Sequence, residues 1–284
     1  MVKVSYKELI ERAAHNLINA KYAIALTGAG ISTESGIPDF RGPEGIWTKH
    51  PEMEQRAYEA YDLFLKNPKR YWQENLSSPP LLGDLSRIKP NPGHFALAKL
   101  ERMGILKCLI TQNVDNLHEL AGSERVIDYH GNVTRLRCVK CNSRFAMEEF
   151  DLIGLKESGN LPPRCKKCNG LLKPDVVHFK EPIPSDIAEQ STEEAIKCDL
   201  MLICGTSAVV YPFANLPRVA RQKNLGSGGY YGMYSTAKAA SVIIIEVNAE
   251  TTPLTEEGIS DYLIQGKTGE ILPEIVEELA RIKE

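Results

Sequence analysis

From Ser5 onward the hydrophobic positions follow two alternating periods. Leu9, Ile10, Ala13, Ala14, Leu17 and Ile18 recur at helical spacing, and Ser5 with Glu8 has the spacing of a capping box, so residues 5–20 read as an amphipathic helix. Tyr22 to Thr27 is a continuous apolar run that stops at Gly28, as expected of a buried strand entering a glycine turn. Similar runs lie at 106–111, 126–129, 176–179, 200–204 and 242–247, and they alternate with helical stretches near 92–103, 185–198, 212–222 and 270–283. Strands that are apolar on both faces and separated by helices predict an α/β fold with a parallel sheet covered on both sides.

Two stretches break the alternation. Residues 43–90 are rich in aromatics, prolines and charges, and residues 137–172 hold two Cys-x-x-Cys pairs; both read as insertions that pack together as a smaller lobe. The glycines, serines and tyrosines from Asn224 to Ser235 read as a surface loop.

With 284 residues, 43% hydrophobic and 25% charged, the chain can bury a large core. Lys plus Arg number 34 against 37 Asp plus Glu, a net charge of −3, so neither nucleic acid nor an anionic membrane is an expected partner. No apolar run approaches the roughly 20 residues of a spanning helix, and the N-terminus has no signal-peptide core, which predicts a cytoplasmic protein. Three of the seven cysteines, Cys108, Cys198 and Cys204, sit singly in apolar stretches and read as buried small hydrophobes.

The other four have ligand spacing. Cys138-x-x-Cys141 and Cys165-x-x-Cys168 are two knuckles 23 residues apart, able to close a tetrahedron of thiolates around one Zn²⁺ with no open coordination position. A redox dithiol and four buried apolar cysteines are the alternatives. Gly28-Ala29-Gly30-Ile31-Ser32 follows the first strand and suits close approach to a phosphate, although Thr33 stands where the ordinary dinucleotide fingerprint has glycine or alanine. A glycine turn after a strand can also be purely structural. The continuation Asp39-Phe40-Arg41 puts an acid, an aromatic and a cation on the same loop. Gln112, Asn113 and Asp115 follow the strand at 106–111, where open α/β sheets bind ligands, or else they cap the next helix. His130 ends another strand beside a glycine and is either a satisfied structural residue or a candidate general base. Gly205-Thr206-Ser207 and Asn248-Ala249-Glu250 end two more, and five such strand ends together describe a nucleotide site.

In this order, over nearly the whole chain, these motifs resemble those of the sirtuins, the NAD-dependent protein deacylases. The resemblance implies a Rossmann-like domain from residues 1–42, 91–136 and 173–284, with a small lobe made of a helical module (43–90) and a zinc module (137–172). It implies NAD as co-substrate and one structural zinc at Cys138, Cys141, Cys165 and Cys168. Gly28, Ala29, Gly30 and Ser32 correspond to the pyrophosphate turn, with Asp39, Phe40 and Arg41 on the loop over NAD. Asn113 and Asp115 match the pocket for the nicotinamide carboxamide, with Gln112 at the ribose. Gly205, Thr206, Ser207, Asn248, Glu250 and Thr268 match the phosphate, ribose and adenine contacts. His130 matches the base and Asn113 works beside it. Val177, His178 and Phe179 match a strand that clamps the peptide by β-augmentation, with Lys180 where glycine is usual.

The implied reaction converts acyl-lysine and NAD to lysine, nicotinamide and O-acyl-ADP-ribose, and the implied partners are acetylated lysines in proteins, chromatin proteins among them. Mono-ADP-ribosyl transfer and a silent NAD-sensing module are the competing readings. No Tyr-x-x-Arg pair, the family's mark of acidic-acyl specificity, occurs between 43 and 90, which predicts a preference for acetyl.

Overall fold

The computed structural model describes residues 4–78, 85–222 and 242–283. The glycine-rich loop at 224–241 lies outside them. The strands are β1 (Ala23–Thr27), β2 (Leu106–Thr111), β3 (Val126–Asp128), β4 (Gly131–Cys138), β5 (Arg144–Ala146), β6 (Leu172–Val176), β7 (Leu200–Cys204), β8 (Ile243–Asn248) and β9 (Tyr262–Gln265). Six of them form a parallel sheet in the order β3-β2-β1-β7-β8-β9. The chain builds outward from β1 on one side and from β7 on the other, so these neighbours flank the topological switch point, where a crevice opens at the strand C-termini.

Period-two alternation explains the two covered faces. Ala23, Ala25, Leu109, Leu202 and Ile245 point to one side and pack on the helices Tyr6–Asn19, Pro92–Arg102 and Thr268–Lys283. Ile24, Leu26, Ile110, Met201 and Ile244 point to the other, against Ala195, Leu216 and Ala220. The first helix is closed by the expected capping box between Ser5 and Glu8.

A smaller antiparallel sheet, β5-β4-β6, carries the cysteine knuckles. The helices Pro51–Lys66 and Pro68–Asn75 lean on it through Phe64, Tyr71 and Trp72, which share a core with Leu136, Leu152, Leu161 and Leu172. Trp72 Nε1 donates to the Leu172 carbonyl at 2.9 Å.

Three expectations need correction. The run at 176–179 is not a strand of the parallel sheet: β6 spans Leu172–Val176, pairs with β4, and ends where the chain turns. Buried Lys173 and Asp175 hide this strand from a hydrophobicity pattern, because ion pairs outside it satisfy their charges, Lys173 with Glu181 beyond the next turn and Asp175 with the distant Arg137 and Arg144. The helix expected at 212–222 starts at Leu216, after the single 3-10 turn Phe213–Asn215. Edge strand β9 was not anticipated; it is four residues long and only Ile264 is buried.

Candidate active site

One cleft of about 2160 Å³ runs between the strand ends of the large sheet and the small lobe. That exceeds the roughly 300–1,000 Å³ of a site for one small ligand and gives room for two substrates. At its floor the loops after β1 and β7 interlock. Gly30 N donates to Gly205 O at 2.8 Å, and a Cβ on Gly30 would lie 2.8 Å from that oxygen. Gly205 takes φ +61, and a Cβ there would lie 2.3 Å from Ile31 N. These glycines are therefore required by loop packing whatever binds above them. Gly28 lies beneath the cleft surface, its would-be Cβ 2.7 Å from Thr206 Cβ, while Ala29, Gly30 and Ser32 line it.

Ser32 joins this turn to the loop after β2. Its hydroxyl donates to Asp115 Oδ2 at 2.7 Å and accepts from Asn113 Nδ2 at 3.1 Å; Asn113 Nδ2 also reaches Gly28 O at 3.1 Å. Asp115 Oδ1 accepts from Leu117 N at 3.0 Å as well, so it satisfies the first N–H of the following helical turn and lines the cleft at the same time. Burial raises its carboxyl above the usual range, opposed by the Leu117 amide and the Ser32 hydroxyl. Below lie His94 and His118, their ring centroids 4.9 Å apart. Burial holds His94 down to about 4 and His118 well below its ordinary value. Asn91 N donates to His94 Nδ1, which leaves Nε2–H facing Ser32 Oγ at 3.4 Å.

His130 follows β3. Its Nδ1 lies 3.2 Å from Gln112 O, and a carbonyl only accepts, so Nδ1 carries the proton and Nε2 keeps its lone pair. Burial lowers this imidazole to about 4, against the opposing bond to Gln112. The ring is thus a neutral base at neutral pH. Gln112 Nε2 donates to Thr206 Oγ1 at 2.8 Å and Asn248 Nδ2 to Thr206 O at 3.2 Å, tying three strand ends together. Ser207 and Glu250 line the same wall, and so does Thr268, whose buried Oγ1 has no hydrogen-bond partner among the described residues. An orphaned hydroxyl facing the cleft fits a polar ligand that satisfies it.

The loop at 39–42, which lines the cleft, has its own geometry. Asp39 Oδ1 accepts from Gly42 N at 2.7 Å and shapes a turn, while Phe40 and Arg41 both pack on Trp47, at 4.7 and 4.6 Å. Trp47 also meets Phe179, which stacks on Tyr58 at 4.2 Å. Trp47 and Tyr58 escaped the sequence reading, which offered only an aromatic-rich insertion as a signal. Val177 N donates to His130 O at 2.8 Å, and His178 Nε2 lies 2.7 Å from Tyr71 Oη. Lys180 takes the left-handed backbone, φ 68, at about 1 kcal/mol for a lysine, and its ammonium pairs with Asp62 at 3.0 Å. Glu181 accepts from His178 N and is held by Arg137 and Lys173, so buried charges stiffen the turn under the cleft.

The four cysteine sulfurs lie within 4.8 Å of one another, with Cys138–Cys168 at 3.5 Å and Cys141–Cys165 at 3.7 Å. Zinc–sulfur bonds of about 2.3 Å make a tetrahedron with edges of about 3.8 Å, so the cluster fits one zinc ion. Both knuckles repeat one construction. Lys140 N and Lys167 N point at Cys138 Sγ and Cys165 Sγ, and Asn142 and Asn169 follow in left-handed conformation, φ 57 and 58.

Residues 28–212 match the Sir2 family model. A Pyrococcus furiosus NAD-dependent protein deacylase is 44% identical over 266 residues, 94% of this chain and 96% of that protein. A Sir2 homolog–NAD complex superposes with a TM-score of 0.71 at 38% identity, covering 98% of this chain and 95% of that one. A Sir2 complex with a deacetylated p53 peptide and 3′-O-acetyl ADP-ribose does so with a TM-score of 0.71 at 33% identity, covering 95% and 98%. With a cleft sized for two substrates and a closed zinc cluster away from its chemistry, the chain belongs to the Sir2 family and is an NAD-dependent protein deacylase.

Proposed function

We propose that this deacylase removes acetyl groups from protein lysines, with His130 as general base. The observation that carries the reading is the tautomer of His130: Nδ1–H is committed to Gln112 O, leaving Nε2 as the basic atom of a ring that lines the cleft. NAD supplies the electrophilic ribose carbon that the acyl oxygen attacks as nicotinamide departs. His130 Nε2 would then take a ribose hydroxyl proton, so that the freed oxygen adds to the acyl-derived carbon; water added at that carbon would break its C–N bond, releasing lysine and O-acyl-ADP-ribose. Asn113 and Asp115 hold the nicotinamide carboxamide: the Asn113 NH2 group serves Gly28 O and Ser32 Oγ, which leaves its Oδ1 and the Asp115 carboxylate to accept from the carboxamide N–H groups. Ala29, Gly30, Ser32, Gly205, Thr206 and Ser207 cradle the phosphates and Gln112, Asn248, Glu250 and Thr268 the ribose and adenine ends, with Asp39, Phe40 and Arg41 closing over NAD. Val177, His178 and Phe179 grip the peptide.

A Rossmann-like domain with a small lobe of two modules, helical 43–90 and zinc 137–172, belongs to the same proposal, with the pairing of β4 and β6 carrying the zinc module's sheet beyond those bounds, from Gly131 and to Val176; acetylated chromatin-type peptides as substrates belong to it too. Mass spectrometry of an acetyl-peptide incubated with NAD is the test. Loss of the acetyl mass with appearance of O-acetyl-ADP-ribose supports deacetylation. A gain of an ADP-ribosyl mass on the peptide or the enzyme, with the acetyl group retained, would replace it with transfer.

A further inference from the structure

The loop that carries Gln112, Asn113 and Asp115 and the turn that carries His130 are joined along their length. Tyr129 N donates to Thr111 O at 2.9 Å and Val133 N to Val114 O at 3.0 Å, with the His130–Gln112 bond between them. Behind this seam is Asn132, 1% exposed. We propose that Asn132, gripped by Glu119 and Asp128, is a positioning residue that keeps His130 in register with the Gln112–Asp115 loop, and that a proton shared by the two carboxyl groups belongs to the grip.

The orientation of the Asn132 amide is fixed. Its Oδ1 accepts from Thr134 N at 3.0 Å and from Thr134 Oγ1 at 2.7 Å, so Nδ2 faces the other way. There it donates to Asn116 Oδ1 at 2.9 Å and Glu119 Oε1 at 3.0 Å, with Asp128 Oδ1 at 3.5 Å. Asn116, next to Asp115, is left-handed at φ 65, so the cofactor loop is pinned at its bend. Two N–H groups confront three acceptors, one more than Asn132 can serve with a bond each. The charged groups that face Glu119 are Asp128 from β3 and Arg135 from β4, and Arg135 is engaged by Asp128. A proton on Glu119 supplies the donor and removes a like-charge contact at a partly buried site. Burial, then Asp128, pushes the Glu119 carboxyl up to about 7. Because that value is raised in the folded state, the grip is complete at low pH and weakens as pH rises through it.

The inference rests on His130 being the base. Wild type, His130→Ala, Asn132→Ala and Glu119→Gln are compared in kcat and KM for acetyl-peptide across pH, and in NAD binding by calorimetry. Asn132→Ala should lower kcat about 10- to 100-fold, the effect of misplacing a reacting group by about 1 Å, with a much smaller change in NAD affinity. The wild-type rate should fall on the alkaline side of about 7, and Glu119→Gln, which always carries donors, should shift that limb upward or abolish it. Superimposable limbs in wild type and Glu119→Gln would overturn the proposal, as would an Asn132→Ala kcat within about twofold of wild type. If Asn132→Ala fails to fold, the Glu119→Gln profile decides alone. Normal turnover by His130→Ala would instead overturn the base assignment, which separates the two failures.

Discussion

The Ser32 hydroxyl and the Asp115 carboxylate, 83 residues apart, meet at 2.7 Å and share Asn113 as a neighbour, so the turn after β1 and the loop after β2 form one pocket wall. Ser32→Ala leaves Asp115 Oδ2 without that donor and Asn113 without that acceptor. Hydrogen bonds to charged groups are worth about 1.5–3 kcal/mol, so nicotinamide exchange and deacylation should both fall by about 10- to 100-fold. Asp115→Asn should weaken both in the same way. Isotopic exchange of labelled nicotinamide into NAD measures it, and unchanged exchange in both variants would remove them from the pocket.

His130→Ala should abolish deacylation while NAD binding survives, because a base acts in the transition state rather than in ground-state affinity. Since burial holds this imidazole at about 4 rather than near 6.5, kcat/KM should show no acid limb in the ordinary histidine range. A limb near 6.5 in wild type would contradict the environment described for this ring.

His94 and His118 are buried neutral, and this makes folding sensitive to acid. The unfolded chain protonates histidine near 6.5 and the folded chain takes up the proton at His94 only near 4, so between these values the unfolded state binds more protons and stability falls as pH falls. Each such histidine adds about 1.4 kcal/mol per pH unit to the slope across that window. Urea unfolding at a series of pH values checks this, and a flat stability from pH about 6.5 to 5 would refute it.

Removing zinc should unfold the small lobe first. Cys141→Ser or a strong chelator removes a ligand set coupled to folding, and the β5-β4-β6 sheet loses its closure. Metal analysis should give one zinc per active chain. Active protein free of zinc would end the structural role.

Acetyl-lysine should be turned over much faster than succinyl-lysine. From the helix Pro68–Asn75 and the turn after it, Asn75 and Ser78 line the cleft with neutral side chains, and Arg70, which lines it too, is engaged with Glu74 at 2.6 Å. An acidic acyl group would enter without a dedicated cationic partner, a desolvation that costs several kcal/mol. Comparison of kcat/KM on one peptide bearing each acyl group decides it; succinyl turnover equal to or above acetyl would show that Arg70 exchanges Glu74 for the acyl carboxylate, or that another cation takes that role.

Much of this protein is written locally. The capping box at Ser5, the two-sided apolar strands, the paired knuckles and the polar motifs at five strand ends all depend on residues close in sequence, where period and spacing carry the information. What only the tertiary structure decided involves partners far apart. Asp175 makes a poor strand residue until Arg137 and Arg144, more than 30 positions away, neutralise it, and for that reason β6 does not show in the hydrophobic pattern. Gly30 looks like a phosphate residue from its neighbours, yet its lack of a side chain is demanded by Gly205, 175 positions away. The tautomer of His130 follows from one carbonyl on another strand end, and no local pattern encodes which carbonyl the fold will bring there.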